Sequence, residues 1–180
     1  MAIRKKLLHW ELAGFLTACA AGTLLQYLFD WSGKNTFVAA FSAVNESTWE
    51  HMKLLYVPFF VFAMIEYAVF CEPFRNFFAA KAAAALVGLA AIPTLYYTLN
   101  GALGKTPDWV NIAIFFVSAA AAYLAGFLLL RAYALRGAVM QLAGFVLLWA
   151  LMLLFVLFTY RTPELPLFLD PVTLRYGIPR

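Results

Sequence analysis

Five long apolar runs constrain the fold of this chain more than any other feature. They cover residues 7–29, 52–70, 77–99, 110–130 and 138–158. Because a helix rises about 1.5 Å per residue, each run is long enough to cross about 30 Å of hydrocarbon. Hydrophobic residues make up 65% of the chain and charged residues 12%, which leaves too little polar surface to cover a water-soluble core. The sequence predicts an all-α, polytopic integral membrane bundle of about five transmembrane helices.

Two shorter segments complete the predicted organisation. Residues 37–44 are apolar but too short to span, which indicates a re-entrant or interfacial segment before the second span. The last segment contains Pro163, Pro166 and Pro171, which prevent a further helix. We therefore divide the chain into a transmembrane bundle over residues 1–160 and a proline-rich external tail over residues 161–180, which is a candidate lid.

Basic residues are distributed unequally among the predicted loops. One side carries Arg4, Lys5, Lys6, Arg75, Lys81, Arg131 and Arg136. The short loops of the other side carry only Lys34, Lys53 and Lys105, although the tail adds Arg161, Arg175 and Arg180. The positive-inside rule then predicts a multi-pass protein of the cell membrane with a cytoplasmic N-terminus and an external C-terminus. Since the net charge of +4 follows from these orientation signals, we expect no nucleic-acid partner.

Residues 45–53 read Asn-Glu-Ser-Thr-Trp-Glu-His-Met-Lys and place several ionisable side chains beside an apolar run. One interpretation is structural, because Ser47 followed three residues later by Glu50 is the pattern of a capping box. The other is functional, because Glu46, Glu50 and Lys53 have the spacing of one helical face. Two carboxylates on one face repel each other unless a cation, a proton or Lys53 lies between them. Ionisable groups near a membrane interior are candidates for a functional site.

A polar stripe in the first run extends this candidate site. Cys19, Thr23, Gln26 and Asp30 recur at helical spacing, and we interpret the first two as packing residues. The predicted ligand-binding set comprises Gln26, Asp30, Asn45, Glu46, Glu50, His51, Lys53 and, returned by the tail, Asp170. Candidate ligands for a divalent metal are Glu46, Glu50 and His51. The sequence lacks the histidine patterns of zinc hydrolases, so the cofactor stays undetermined.

A second polar set is expected near the cytoplasmic ends of the spans, where three side chains have similar depths: Glu11, Glu66 and Gln141. In a structural interpretation each carboxylate pairs with Arg131, Arg136 or a backbone group and fixes the bundle. In a functional interpretation the set is an inner gate, and Pro58 and Pro93 break the helices between the two polar sets.

Three segments carry a resemblance to a known family: Trp31-Ser32-Gly33, residues 44–53 followed by Pro58, and residues 166–173 followed by Tyr176-Gly177. Through them the whole chain resembles an uncharacterised family of small bacterial integral membrane proteins, a domain of unknown function with an Asn-Glu-Ser-x-Trp-Glu-His motif. The resemblance implies no reaction or cofactor. The family commonly has His at the position of Gln26 and Gly at that of Leu174, so these departures weaken the case for a metal site and for a tight turn in the tail.

These observations predict an integral membrane protein with an externally facing polar site that binds or transports a small solute, ion or lipid headgroup. One alternative is an intramembrane enzyme acting on a lipid or isoprenoid, with Glu50 as general acid/base and His51 as base or metal ligand. A second alternative is a structural subunit of a membrane complex, docking through small residues around Gly14, Ala18 and Gly22. The expected partners are membrane lipid and a small-molecule ligand.

Overall fold

The computed structural model describes residues 2–70, 74–104, 106–132 and 134–179. These residues form α1 (Ala2–Trp31), α2 (Thr36–Ala39), α3 (Thr48–Phe70), α4 (Phe77–Leu103), α5 (Asp108–Arg131), α6 (Ala138–Tyr160) and a 3₁₀ turn (Pro166–Phe168). No strand occurs within these ranges, which confirms the all-α fold. Three groups used in the orientation argument are not among the described ones: Lys105, Arg180 and the side chain of Arg4.

The five predicted spans are present as the long helices α1, α3, α4, α5 and α6, each apolar and long enough to cross a membrane. Helices suit these runs because hydrocarbon offers no partner for backbone N–H and C=O groups. The predicted helix breaks at Pro58 and Pro93 are wrong, since α3 and α4 continue through both residues. Membrane helices tolerate proline where neighbouring helices satisfy the freed backbone groups.

The third helix lies at the centre of the bundle. It packs against α1, α4 and α6, while α4 also packs against α5 and α6, and α1 against α5. In its most apolar stretch 67% of α3 is buried, compared with 22% of α6. Polar side chains on α3 therefore face other helices, and each must find a partner inside the protein.

Small residues allow the helices to approach closely. The buried face of α4 carries Ala80, Ala84 and Gly88, and the facing part of α5 carries Ala119 and Ala122. At Gly144 of α6 an added Cβ would lie 2.5 Å from the backbone nitrogen of Ala79. Only glycine permits this contact between α6 and α4, as is typical of packing between membrane helices.

The bundle has two ends, which we name by what lies there. The N-terminal end contains the start of α1, and the tail end contains the start of α3 and the C-terminal tail. Phe168 of the tail is buried with its ring 4.8 Å from that of Trp49 at the start of α3. The hydroxyl of Tyr160 donates to the carbonyl of Thr36 over 2.6 Å, so the end of α6 also contacts the segment before α3.

Candidate functional site

The start of α3 forms half of the predicted capping box. The Ser47 hydroxyl accepts a hydrogen bond from the Glu50 N–H over 3.4 Å. The reciprocal half differs, since Glu50 Oε2 accepts from the N–H of Val44 at 3.1 Å while the Ser47 N–H donates to Asn45 Oδ1 at 2.9 Å. Ser47 therefore caps the helix, and the Glu50 carboxylate holds the preceding loop against it.

Lys53 is fully buried beside Glu50, with its Nζ 2.6 Å from Glu50 Oε2. It also donates to the carbonyl of Ala39 at 3.0 Å and to the hydroxyl of Thr159 at 2.9 Å. These three contacts use all three donors of an ammonium group, and the pair is balanced in charge. Treating Lys53 as a loop charge was therefore wrong, because it lies inside α3 and its charge is paired there.

Glu46 does not share a helical face with Glu50 and Lys53. That prediction is wrong because Ser47 caps the helix, so α3 begins after Glu46. Glu46 instead turns towards α1, where its Oε1 accepts a hydrogen bond from Gln26 Nε2 over 2.6 Å. Its Oε2 lies 3.6 Å from Nε2 of His51, and its side chain is 48% exposed. Gln26, Glu46 and His51 thus come together at the surface, and we call them the surface site.

The other predicted ligand residues lie elsewhere. Asn45 donates through Nδ2 to the carbonyl of Gly177 over 2.9 Å and so holds the tail. The Asp170 carboxylate accepts from the Val172 N–H at 2.8 Å and the Thr173 hydroxyl at 2.7 Å, which shapes the tail itself. Asp30 is exposed, and its carboxylate makes no ion pair or hydrogen bond to any described residue.

The tail turn forms without glycine. Leu174, where the resembled family commonly has Gly, has a φ of 54°. Leucine is sterically strained in this left-handed region, because its Cβ lies too close to the backbone, whereas glycine has no Cβ. The hydrogen bond from the Leu174 N–H to the carbonyl of Asp170, at 2.9 Å, holds the turn closed.

An open cleft of about 1080 Å³ lies between the tail and the end of α6. Its polar lining includes Asn45, Thr159, Glu164, Asp170 and Arg175. Asn45 precedes Glu46 of the surface site in the chain, and Thr159 is the hydroxyl partner of Lys53. The tail therefore forms one wall of a polar cleft that reaches Asn45, and its role as a lid stays a prediction.

At the N-terminal end Glu11 and Glu66 are brought together, as predicted, but by a residue that sequence analysis placed in a loop. Lys81 Nζ lies 2.7 Å from Glu11 Oε1 and 2.6 Å from Glu66 Oε2, and all three side chains are buried. We call them the triad. Counting Lys81 among the loop charges was wrong, because it lies in the second turn of α4. Its position inside an alanine-rich run, Ala79 to Ala85, was the available signal.

Gln141 does not join the triad. Its Oε1 accepts hydrogen bonds from the N–H groups of Phe78 at 3.0 Å and Ala79 at 3.4 Å. These belong to the first turn of α4, whose donors have no partner within the helix. Gln141 therefore caps α4 from the neighbouring α6.

The acidic, histidine and cysteine side chains give no metal cluster in the described ranges: no three of them lie close enough together to hold an ion. Glu46 and His51 approach each other, whereas Glu50 is engaged by Lys53 and Val44. Neither set has the ligand number of a closed structural zinc site.

Residues 1–178 match a family described as a family of unknown function, DUF6512. The chain belongs to this family. The resemblance inferred from its motifs is thereby confirmed as membership in an uncharacterised family. No curated protein and no solved structure matches the chain. For this DUF6512 member the argument for function therefore depends on its own site geometry.

Proposed function

We propose that this DUF6512 member is a membrane protein that binds a small organic cation, free or as a lipid headgroup, at the surface site. The observation that carries the proposal is the approach of two acceptors at the surface, Glu46 Oε2 and His51 Nε2, which lie 3.6 Å apart. A positively charged N–H donor between them would satisfy both.

The acceptor role of His51 Nε2 follows from the other ring nitrogen. His51 Nδ1 lies 3.0 Å from the carbonyl oxygen of Ser47, which can only accept a hydrogen bond. Nδ1 must then carry a proton, and in the neutral ring Nε2 presents a lone pair towards Glu46. Two acceptors facing each other repel, and a donor from outside that lies between them would relieve this repulsion. A cationic ligand supplies that donor.

The surface site combines fixed geometry with access to solvent. Gln26 holds one Glu46 oxygen at 2.6 Å, and the backbone of Ser47 holds His51, yet the Glu46 side chain remains half exposed. Glu50 and Lys53, by contrast, are enclosed and already paired, which favours a structural role for them.

Thermal unfolding of the detergent-purified protein in the presence of ethanolamine or methylammonium, both of which carry N–H donors on a positively charged nitrogen, tests the proposal. At least one of these cations should raise the Tm of the wild type, because a ligand that binds only the folded state stabilises it. The shift should disappear in Glu46→Gln, which keeps the shape and loses the charge. Asp108→Asn is the matched control, since it removes an exposed carboxylate from the same end of the bundle.

The proposal fails if none of the cations shifts the Tm of the wild type, or if Glu46→Gln responds as the wild type does. A positive result would next be divided between binding and transport. Accumulation of the same cation in vesicles that contain the protein supports transport, whereas binding without accumulation supports a receptor or carrier of headgroups.

We further propose that the N-terminal end faces the cytoplasm of the cell and the surface site faces outward. Lys53 and Lys81 no longer count as loop charges. The loops at the N-terminal end still carry Arg75, Arg131 and Arg136, whereas the short loops at the tail end carry only Lys34 and Lys105. This excess of basic loop residues favours a cytoplasmic N-terminal end. A cysteine introduced at Asp108 or Pro179, in a protein whose own cysteines are replaced by alanine, should then react with an impermeant reagent on intact cells. One at Ala134, which is exposed at the other end, should not. The reverse pattern would invert the orientation.

A further inference from the structure

The triad differs from an ordinary buried ion pair in its charge. It places one ammonium, Lys81, between two carboxylates, Glu11 and Glu66, and all three side chains are at least 97% buried. If all three were ionised, the centre would carry one surplus negative charge. A surplus charge inside a low-dielectric bundle is costly, and two carboxylates that share a site resist being ionised together.

Among the described residues, Lys81 is the only cation that forms an ion pair with Glu11 or Glu66. The side chains around Lys81 are aromatic, with ring centres at 5.8 Å for Phe59, 5.7 Å for Phe77 and 5.8 Å for Tyr123. These rings favour the ammonium through their faces but supply no positive charge to the carboxylates. Glu11 also packs against the backbone of α5, where a Cβ at Gly126 would lie 3.3 Å from its Oε1.

The helices that pack around the triad differ in the ionisable groups that they bring to it. α1 contributes Glu11, with Cys19 further along it, α3 contributes Glu66 and α4 contributes Lys81. From α5, Tyr123 lies within electrostatic reach of both carboxylates. α6 has no ionisable side chain before Tyr160, which lies at the opposite end of the bundle.

Several polar atoms at the triad have no hydrogen-bond partner among the described residues. Glu11 Oε2, Glu66 Oε1 and the Tyr123 hydroxyl are buried without a hydrogen bond to any described residue. Glu66 Oε2 meets Lys81 at 2.6 Å as an ion pair, outside hydrogen-bonding geometry. Buried polar atoms normally find hydrogen-bond partners, so these atoms leave the triad with unused capacity to bind a proton or a donor. This unused capacity is a second observation, beside the surplus negative charge, that favours a bound proton.

We propose that Glu11 and Glu66 hold one proton between them at neutral pH, so that the triad is a buried proton-binding site without net charge. A proton removes the surplus charge and converts one carboxylate into a donor. It also needs no additional space in a centre that already contains an ammonium group. The inference is independent of the surface site, which lies at the other end of the bundle and uses none of these residues.

Infrared spectroscopy tests the proposal, because a protonated carboxyl has a C=O stretch that a carboxylate lacks. The protein is purified in a detergent without ester or acid groups, at neutral pH, with and without ¹³C-labelled glutamate. The wild type should show this band, and the label should shift it. Glu11→Gln and Glu66→Gln should each lose it, because either change leaves one ammonium with one carboxylate. Glu164→Gln, which removes an exposed glutamate from the tail, should keep it.

The wild-type spectrum decides the matter even if a substituted protein does not fold. A folded wild type without a label-sensitive band at neutral pH would overturn the proposal, as would an unchanged band in both Glu11→Gln and Glu66→Gln. A wild type that lacks the band but gains thermal stability from Na⁺, with no gain in Glu66→Gln, would replace the proton by a monovalent cation and also overturn it.

Discussion

The two buried charge centres, one at each end of the bundle, both join a buried lysine to glutamate, but they differ in the number of carboxylates per lysine. At the tail end Lys53 meets one carboxylate and two oxygen acceptors, so every donor of the ammonium is used. In the triad Lys81 meets two carboxylates, and oxygens of both remain without a partner. A satisfied, balanced pair fixes structure, whereas an unbalanced and partly unsatisfied centre has capacity for a further charge.

The same substitution should destabilise one centre far more than the other, and this is the largest effect we expect. Glu50→Gln leaves the buried Lys53 without a counter-charge and should reduce the free energy of unfolding by about 3–5 kcal/mol. Glu66→Gln leaves Lys81 paired with Glu11 and should reduce the free energy of unfolding by less than about 1 kcal/mol, because the remaining pair is balanced in charge. Unfolding of both variants in detergent, followed by circular dichroism, measures the difference. Equal losses would remove the distinction between the centres.

A smaller effect is expected at the hydroxyl that completes the tail-end pair. Thr159→Val keeps the shape of the side chain but leaves one donor of Lys53 unsatisfied, which should cost about 1–3 kcal/mol. Thr162→Val is the control, because the Thr162 hydroxyl bonds only to backbone carbonyls of its own helix segment. Comparing the two unfolding midpoints isolates the contribution of the contact with Lys53. A Thr159→Val variant as stable as the control would show that this donor does not need its partner.

The smallest effect is expected at the triad. Tyr123→Phe removes a buried hydroxyl that has no partner to lose, so the free energy of unfolding should change by less than about 0.5 kcal/mol. Tyr56→Phe provides the contrast, because the Tyr56 hydroxyl donates to the carbonyl of Leu148 and its loss should cost about 1 kcal/mol. A larger loss at Tyr123 than at Tyr56 would reveal a partner for Tyr123 and weaken the argument from orphaned atoms.

Much of the architecture could be predicted from the sequence because it depends on local properties. Run length and composition located all five spans, and Ser47 with Glu50 located the start of α3. The prolines behaved differently from the prediction, since α3 and α4 continue through them. Local propensity argues for a break at proline, but packing against other helices satisfies the freed backbone groups.

The candidate sites were less predictable, and the errors share one cause. Lys53 and Lys81 follow predicted boundaries closely enough to resemble loop residues, and charge alone did not show which way they point. Glu46 has helical spacing from Glu50, but Ser47 ends that relation by capping the helix. In each case the direction of a side chain depends on the exact residue at which a helix begins.

The sequence by itself determined that this protein is a bundle of five apolar helices and that several ionisable residues cluster at the start of the second span. Only the tertiary structure decided which charges meet. The Lys81 partners lie on α1 and α3, and the Lys53 acceptors include residues on α2 and α6. Apolar periodicity constrains each helix separately, whereas ion pairs depend on the rotation and depth of one helix relative to another, which close packing of small residues sets.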